Sequence, residues 1–461
     1  MRLSDPLPAQ TALYRAVWRW HFVAGLFALP LLLNLAITGG FYLFTPEINH
    51  ILYRSFEDVP ARAGVRLSAK VLVQKAEAST QGDVLRLTLR SEPDKSVEML
   101  IRTGAGENRT AYVDPYDGSL LGTIPVGGVM QIVRKIHSLQ YFGFWASCLV
   151  EIAAGWTIVL ALSGIFLWWP RGRSGGVVTI RTTPKYRTFW RDLHAVTGLF
   201  ASSIIVFLAV TGMPWSMVWG NYVQEWTTAA GLGQPKPPVE VVPSWKLASS
   251  KSKRHVHGGE TPAANLPWAL KKVAPPESMP AAQPSITLDQ ALVAFAAIGL
   301  EQPFDVALPQ GPEGAFTATT HPARVEKTRT VYLDQYTGKV LGDVDFSQYG
   351  PAAKAIEWGI AVHQGEEYGS INRYVMLSGC IAVVVLAVSA PVMWWTRRPK
   401  GSFGMPPQAA NRRAALGVLA VMAIAGLIYP LVGLSMLAAL IVERAYERTR
   451  RTFRRRARVL Q

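Results

Sequence analysis

Five long blocks of this chain carry almost no charge. They run from Val17 to Phe44 (uncharged after Arg19), Phe142 to Trp169 (apart from Glu151), Leu193 to Gly220, Val375 to Trp395 and Ala414 to Val442. A helix needs roughly 20 apolar residues to cross a hydrocarbon layer, and each block is long enough. No water-soluble core accommodates five such stretches, so the pattern predicts a multi-span membrane protein with lipid as one partner. The first block follows Arg15 and Arg19, as a secretory signal would. It runs too long and lacks a small-residue cleavage site, and therefore reads as a retained span.

The charge follows the ends of these blocks. The chain of 461 residues has a formal net charge of +16. Segments 1–20, 170–193, 396–413 and 443–461 hold 22 Lys and Arg against four acids, Asp5, Asp192, Glu443 and Glu447. All the excess positive charge thus falls on one side of the expected membrane, which marks that side as cytoplasmic. A nucleic-acid partner is excluded on the same ground: the basic residues do not form a patch interleaved with aromatics. The last block is less clear. Pro430 sits inside it and arginines flank both ends, so it reads either as one crossing or as a kinked hairpin, and the hairpin is preferred because it keeps the Arg-rich tail inside.

These spans leave two long segments on the other side. The expected organisation is a first span 10–44, an external domain 45–141, a second span 142–170, a cytoplasmic loop 171–192, a third span 193–220 and a second external domain 221–370. A fourth span 371–396, a loop 397–413, the C-terminal hydrophobic segment 414–442 and a basic tail 443–461 follow. Within the second external domain, the Pro- and Ala-rich stretch 234–286 reads as a flexible insertion. "RLSAKVLVQKAEA" (66–78) and "LDQALVAFAAIGL" (288–300) read as helices, the latter opened by a Thr287–Gln290 capping box. Strand-like runs follow each helix.

The chain repeats itself. "AYVDPYDGSLLG" at 111–122 returns as "VYLDQYTGKVLG" at 331–342. His21 and His194 share Gly-Leu-Phe at offsets +4 to +6 and Thr-Gly at +17 and +18. His137 and His363 share Ser at +26, at Ser163 and Ser389, and Trp-Trp at +31 and +32. Two copies of span, external domain and span are expected.

In this order, "WRWHFVAGLF" and "WRDLHAVTGLF", "YVDPYDG" and "YLDQYTG", and "LWWPR" and "MWWTRR" resemble the PepSY-associated transmembrane family, the iron-regulated inner-membrane proteins of bacteria. The resemblance covers roughly residues 10–400. It implies a mixed fold, an α-helical transmembrane bundle carrying two α+β PepSY-like domains in the periplasm. It also implies a ferric-siderophore reductase, an oxidoreductase that holds two b-type haems through membrane histidines and passes electrons outward.

The histidines agree with that implication. His21 and His194 fall near the cytoplasmic ends of the first and third spans, and His137 and His363 fall just outside the second and fourth. Two neutral imidazoles at one depth suit the two axial positions of a haem iron. The expected cofactor and metal ligands are therefore His21 with His194 and His137 with His363. No Cys-x-x-Cys-His occurs, so no thioether link is expected, and Cys148 and Cys380 read as buried inert thiols. His50 reads as a solvated interface residue or a substitute outer ligand. His255 and His257 lie in the insertion, and His321 in a surface loop.

Glu366 and Glu367 either steer a ferric complex or are merely solvated. No dinucleotide fingerprint is present, so a separate cytoplasmic or membrane molecule must donate the electron. Two other readings stay open: a non-enzymatic membrane anchor whose external domains bind or inhibit a partner, and a transporter. The second is disfavoured because Glu151 is the one charge at mid-depth.

Overall fold

The computed structural model describes residues 8–62, 64–170, 176–233, 265–271, 273–280, 282–399, 404–406 and 412–459. The chain divides into two compact units, one formed by residues 1–41, 134–223 and 374–461, the other by 42–133 and 224–373.

The chain begins with α1 (Pro8–Tyr42), α2 (Thr45–Glu57) and α3 (Ala69–Thr80). Strands β1 (Gly82–Leu89), β2 (Val97–Thr103), β3 (Asn108–Val113) and β4 (Leu120–Pro125) follow. Helices α4 (Gly128–His137), α5 (Phe144–Trp168), α6 (Arg187–Gly212), α7 (Trp219–Ala229) and α8 (Leu288–Ala297) come next. After them come β5 (Phe304–Ala307), β6 (Ala315–Thr320), β7 (Arg329–Asp334) and β8 (Val340–Asp345). The chain closes with α9 (Pro351–His363), α10 (Gly369–Arg397), α11 (Arg412–Ile428) and α12 (Pro430–Val459).

The helical unit is built on four helices long and apolar enough to cross a membrane: Ala12–Tyr42, Phe144–Trp168, Arg187–Trp215 and Gly369–Arg397. The third starts before the apolar block does. Its first turns carry Asp192, fully buried, which accepts from Arg181 Nε at 2.9 Å and Arg191 Nε at 3.0 Å, so the helix continues past its apolar edge on a neutralised carboxylate. Aromatic and basic residues meet at span ends: Arg397 lies over Trp18 at 4.3 Å and Arg398 over Trp395 at 3.7 Å.

The C-terminal apolar segment is two helices folded back on each other. The helix breaks at Pro430, which has no N–H and cannot continue a helical ladder. Gly426 and Gly433 then meet face to face; a Cβ added at Gly426 would lie 2.7 Å from Gly433 Cα. Two residues seven apart in one continuous helix would stand about 10 Å apart, so this contact requires a hairpin.

The second unit is one antiparallel sheet of eight strands in the order β4-β3-β2-β1-β5-β6-β7-β8. Its core holds Leu72 and Ala76 of α3 and Ala291 and Phe295 of α8 against Val84, Leu87, Met99, Val306, Phe316 and Val331. Both helices are capped at the N-terminus. Ser68 accepts from Val71 N, and Thr287 and Gln290 form the expected capping box.

The repeated dodecamers adopt the same turn. Asp114 N donates to Ser119 O and Gly118 N to Asp114 O; Asp334 N donates to Lys339 O and Gly338 N to Asp334 O. Gly118 and Gly338 sit at φ +74° and +68°, where a residue without Cβ is favoured. Tyr116 and Tyr336 donate their hydroxyls to Pro93 O and Pro312 O.

Two features differ from the sequence expectation. The segments expected to form separate external domains share one sheet. β1 and β5 pair antiparallel from Arg86↔Ala307 to Leu89↔Phe304, and each thereby covers an edge that would otherwise leave its N–H and C=O groups unpaired. The stretch 234–286, expected as a flexible insertion, is packed in its later part. Trp268, Ala269 and Leu270 are buried with Val344, Tyr349, Ala353 and Ile360, and Ala269 N donates to Glu357 Oε1 at 2.9 Å. Its residues 234–264, with His255 and His257, lie outside the described residues.

Candidate functional site

His21 on α1 and His194 on α6 stand together in the helical unit, with ring centroids 6.4 Å apart and planes at 89°. Each ring is tied through Nδ1 to a serine on the following membrane helix. His21 Nδ1 lies 2.8 Å from Ser163 Oγ on α5, and His194 Nδ1 lies 2.9 Å from Ser389 Oγ on α10. These serines are the pair that recurs at +26 from His137 and His363 in the sequence.

The serines set the tautomer. Ser163 Oγ donates its proton to Val159 O at 2.6 Å and Ser389 Oγ donates to Leu386 O at 3.2 Å, each within its own helix. A hydroxyl whose proton is so engaged accepts from the imidazole, so Nδ1 carries the ring proton. The lone pair of both rings is left on Nε2, the form that ligates a metal.

His137, at the end of α4, follows the same design. Its Nδ1 lies 2.9 Å from Thr38 Oγ1, whose proton goes to Asn34 O at 2.5 Å. Asn34 Nδ2 also donates to Ile136 O at 3.1 Å, holding the turn that carries the ring. Burial lowers the His137 pKa to about 4, so the imidazole is neutral. Thr38 lies 17 residues from His21, about 26 Å along one helix. His363 is half-buried at the last residue of α9.

Glycines lie against two of these rings. A Cβ at Gly164 would meet His21 Cε1 at 3.3 Å, and one at Gly39 would meet His137 Cε1 at 3.3 Å. Each follows the hydroxyl residue that binds the ring. One turn along from the paired histidines, a Cβ at Gly25 or Gly198 would make one ordinary van der Waals contact, with Leu160 Cδ2 at 3.9 Å or Leu386 Cδ2 at 3.7 Å.

The other candidates have different partners. His50 Nδ1 lies 3.2 Å from Glu57 Oε2 on its own helix, in a half-buried ion network with Asp58. His321 Nε2 lies 2.9 Å from Asp305 Oδ2, at the seam between β1 and β5. Burial alone would raise the pKa of Asp305, but His321, Arg86 and Thr88 outweigh it and hold the carboxylate below its ordinary value. Glu367 is buried, with Oε2 accepting from Val325 N at 2.9 Å, while Glu366 is exposed. Glu151 Oε2 accepts from Val218 N at 3.0 Å and Trp219 N at 3.1 Å, which caps α7.

Sequence reading placed the histidines but gave Ser163, Ser389 and Thr38 no role. The available signal was their recurrence at fixed offsets from the histidines.

Four membrane-length apolar helices together with an antiparallel eight-stranded sheet flanked by helices define a multi-span membrane protein of mixed α-helical and α+β fold. The PepSY-associated TM region family matches residues 18–397, and the chain belongs to that family. No curated protein matches the chain.

Proposed function

We propose that the chain is a di-haem electron-transfer protein of a bacterial inner membrane that reduces a ferric siderophore at its periplasmic face. The observation that carries this reading is the His21–His194 couple. With metal-to-imidazole bonds of about 2 Å and a ring radius of about 1.1 Å, two imidazoles sharing one metal would have centroids about 6.2 Å apart. The observed separation is 6.4 Å. Among the described residues no three His, Cys, Asp or Glu converge as ligands of a bare ion would. Two imidazoles instead suit a metal that brings its remaining ligands with it, and the missing side chains at Gly25 and Gly198 would ease the approach of a flat macrocycle.

Haem bound here would be held by His21 and His194 and would supply one-electron redox chemistry. Ser163 and Ser389 hold Nδ1–H and so present Nε2, while Gly164 lets the His21 ring lie close to α5. The second pair, His137 with His363, is proposed on the internal duplication of the chain and on the matching tautomer at His137. Thr38 does for His137 what the serines do for the first pair.

The duplicated α+β halves of the sheet are proposed as PepSY-like domains that dock the ferric chelate. The concentration of basic residues in the other segments supports a position outside the cytoplasm for them. The electron donor is a separate cytoplasmic or membrane molecule.

A reduced-minus-oxidised absorption spectrum of the purified chain, with haem counted per polypeptide, tests the reading. Two b-type haems per chain are expected, one lost in His21→Ala or His194→Ala and the other in His137→Ala or His363→Ala. A chain without b-type bands refutes the reductase and returns the non-enzymatic anchor.

A further inference from the structure

We propose that the α11–α12 hairpin, which lies beyond the family match, is a positioning element for the His21 imidazole; this rests on the reading of His21 and His194 as axial ligands. The hairpin packs on the two helices that build the His21 position. Met422, Val432 and Met436 form one buried cluster with Ala24 and Ala28 of α1 and Trp156 of α5. The approach is closed down to bare backbone: a Cβ at Gly155 would lie 2.2 Å from Val432 Cγ2.

The polar contacts of this region converge on the residues before His21. Trp156 Nε1 donates to Ser435 Oγ at 2.9 Å, and the Trp156 ring stacks on Trp20 at 6.4 Å with planes 18° apart. Arg19 is buried, donating from Nε to Glu443 Oε1 at 2.6 Å and from Nη1 to Pro406 O at 2.6 Å. Residue 19 is therefore held by α12 directly, and residue 20 through Trp156. At the opposite end of the hairpin, Trp219 Nε1 donates to Ile428 O at 3.0 Å and its ring lies 5.4 Å from that of Tyr429. The hairpin is thus fastened at its tip and at its base, with 13 residues or about 20 Å of α12, from Pro430 to Glu443, between them. A ring whose helix is free to rotate by a few degrees shifts its Nε2, and ligand geometry tolerates little of this.

Carbon monoxide reads the consequence, because it binds a reduced haem only where an axial position has opened. The full-length chain, the double variant Glu443→Gln/Ser435→Ala and the single variant Gly155→Leu are compared after reduction, with the ferric low-spin EPR spectrum alongside. The wild-type pigment is expected to take up no carbon monoxide. In the double variant one of the two haems binds it, and the EPR signal of the perpendicular imidazole pair is lost while the other haem keeps its spectrum and potential.

Gly155→Leu, which removes no polar side chain but wedges the hairpin away from α5, is expected to give the same result. If it fails to accumulate, the double variant, which adds no bulk, decides. Variants whose two haems both stay inert to carbon monoxide and spectroscopically unchanged overturn the positioning role, as does equal damage to both haems. A wild-type chain with no pigment refutes the haem reading itself.

Discussion

Ser163→Ala is the sharpest test of the tautomer argument. The substitution removes the oxygen 2.8 Å from His21 Nδ1 and nothing else of comparable size. The stranded ring N–H costs about 1–3 kcal/mol where water is excluded. At about 1.4 kcal/mol per tenfold, the haem proposed at His21 and His194 should be held about 5- to 150-fold more weakly. Loss of a hydrogen bond behind a metal-bound histidine, which typically costs about 10- to 100-fold in affinity, falls in the same range.

The assay is the rate at which haem passes from the reconstituted chain to excess apomyoglobin, resolved for the two haems by their absorption bands. One haem is expected to leave faster in Ser163→Ala, and the same one in Ser389→Ala. Ser163→Thr should retain it, because Thr38 already holds His137 by the same bond at 2.9 Å. Unchanged transfer in both alanine variants, or equal loss of both haems, refutes the assignment of these hydroxyls.

Three further outcomes concern the sheet. Phe295→Ala empties a fully buried site against Phe304 and should destabilise the sheet unit by about 3–5 kcal/mol, measured by chemical denaturation. Gly118→Ala and Gly338→Ala should each destabilise the sheet unit through their positive φ, and by similar amounts, because the atoms a Cβ would meet, Lys75 Cδ at 2.3 Å and Ile286 Cδ1 at 3.3 Å, lie towards the ends of side chains that can move; thermal unfolding of the two variants checks this. Asp305, held below its ordinary pKa, contributes stability that is complete above the unfolded carboxylate value and is lost as pH falls through the folded one. Protection factors for amide exchange at β5 should therefore fall in acid, and Asp305→Asn should remove that dependence.

Much of the fold was legible in local pattern. Hydropathy located the four spans because crossing a membrane is a property of a single segment. The Asp-Gly turns of the repeated dodecamers were legible for a similar reason: an aspartate carboxylate and a positive-φ glycine make the turn within a few residues. The capping box at Thr287 is equally local. His21 and His194 could be matched by their shared offsets, since the same residue types recur at the same spacing after each.

Where distant segments meet depended on the tertiary structure. The sequence could not show that β1 and β5 join two four-stranded halves, because an edge strand reads the same whether it is exposed or paired. The partner of each imidazole was hidden because serine and threonine are common in membrane helices, and only helix packing brings Ser163 to His21. Nor could composition choose between a crossing and a hairpin at Pro430, since both bury the same apolar residues; the glycines that meet across the bend made the choice. Periodicity and hydrophobicity belong to one stretch of chain, whereas register between stretches is decided by which side chains fit when they pack.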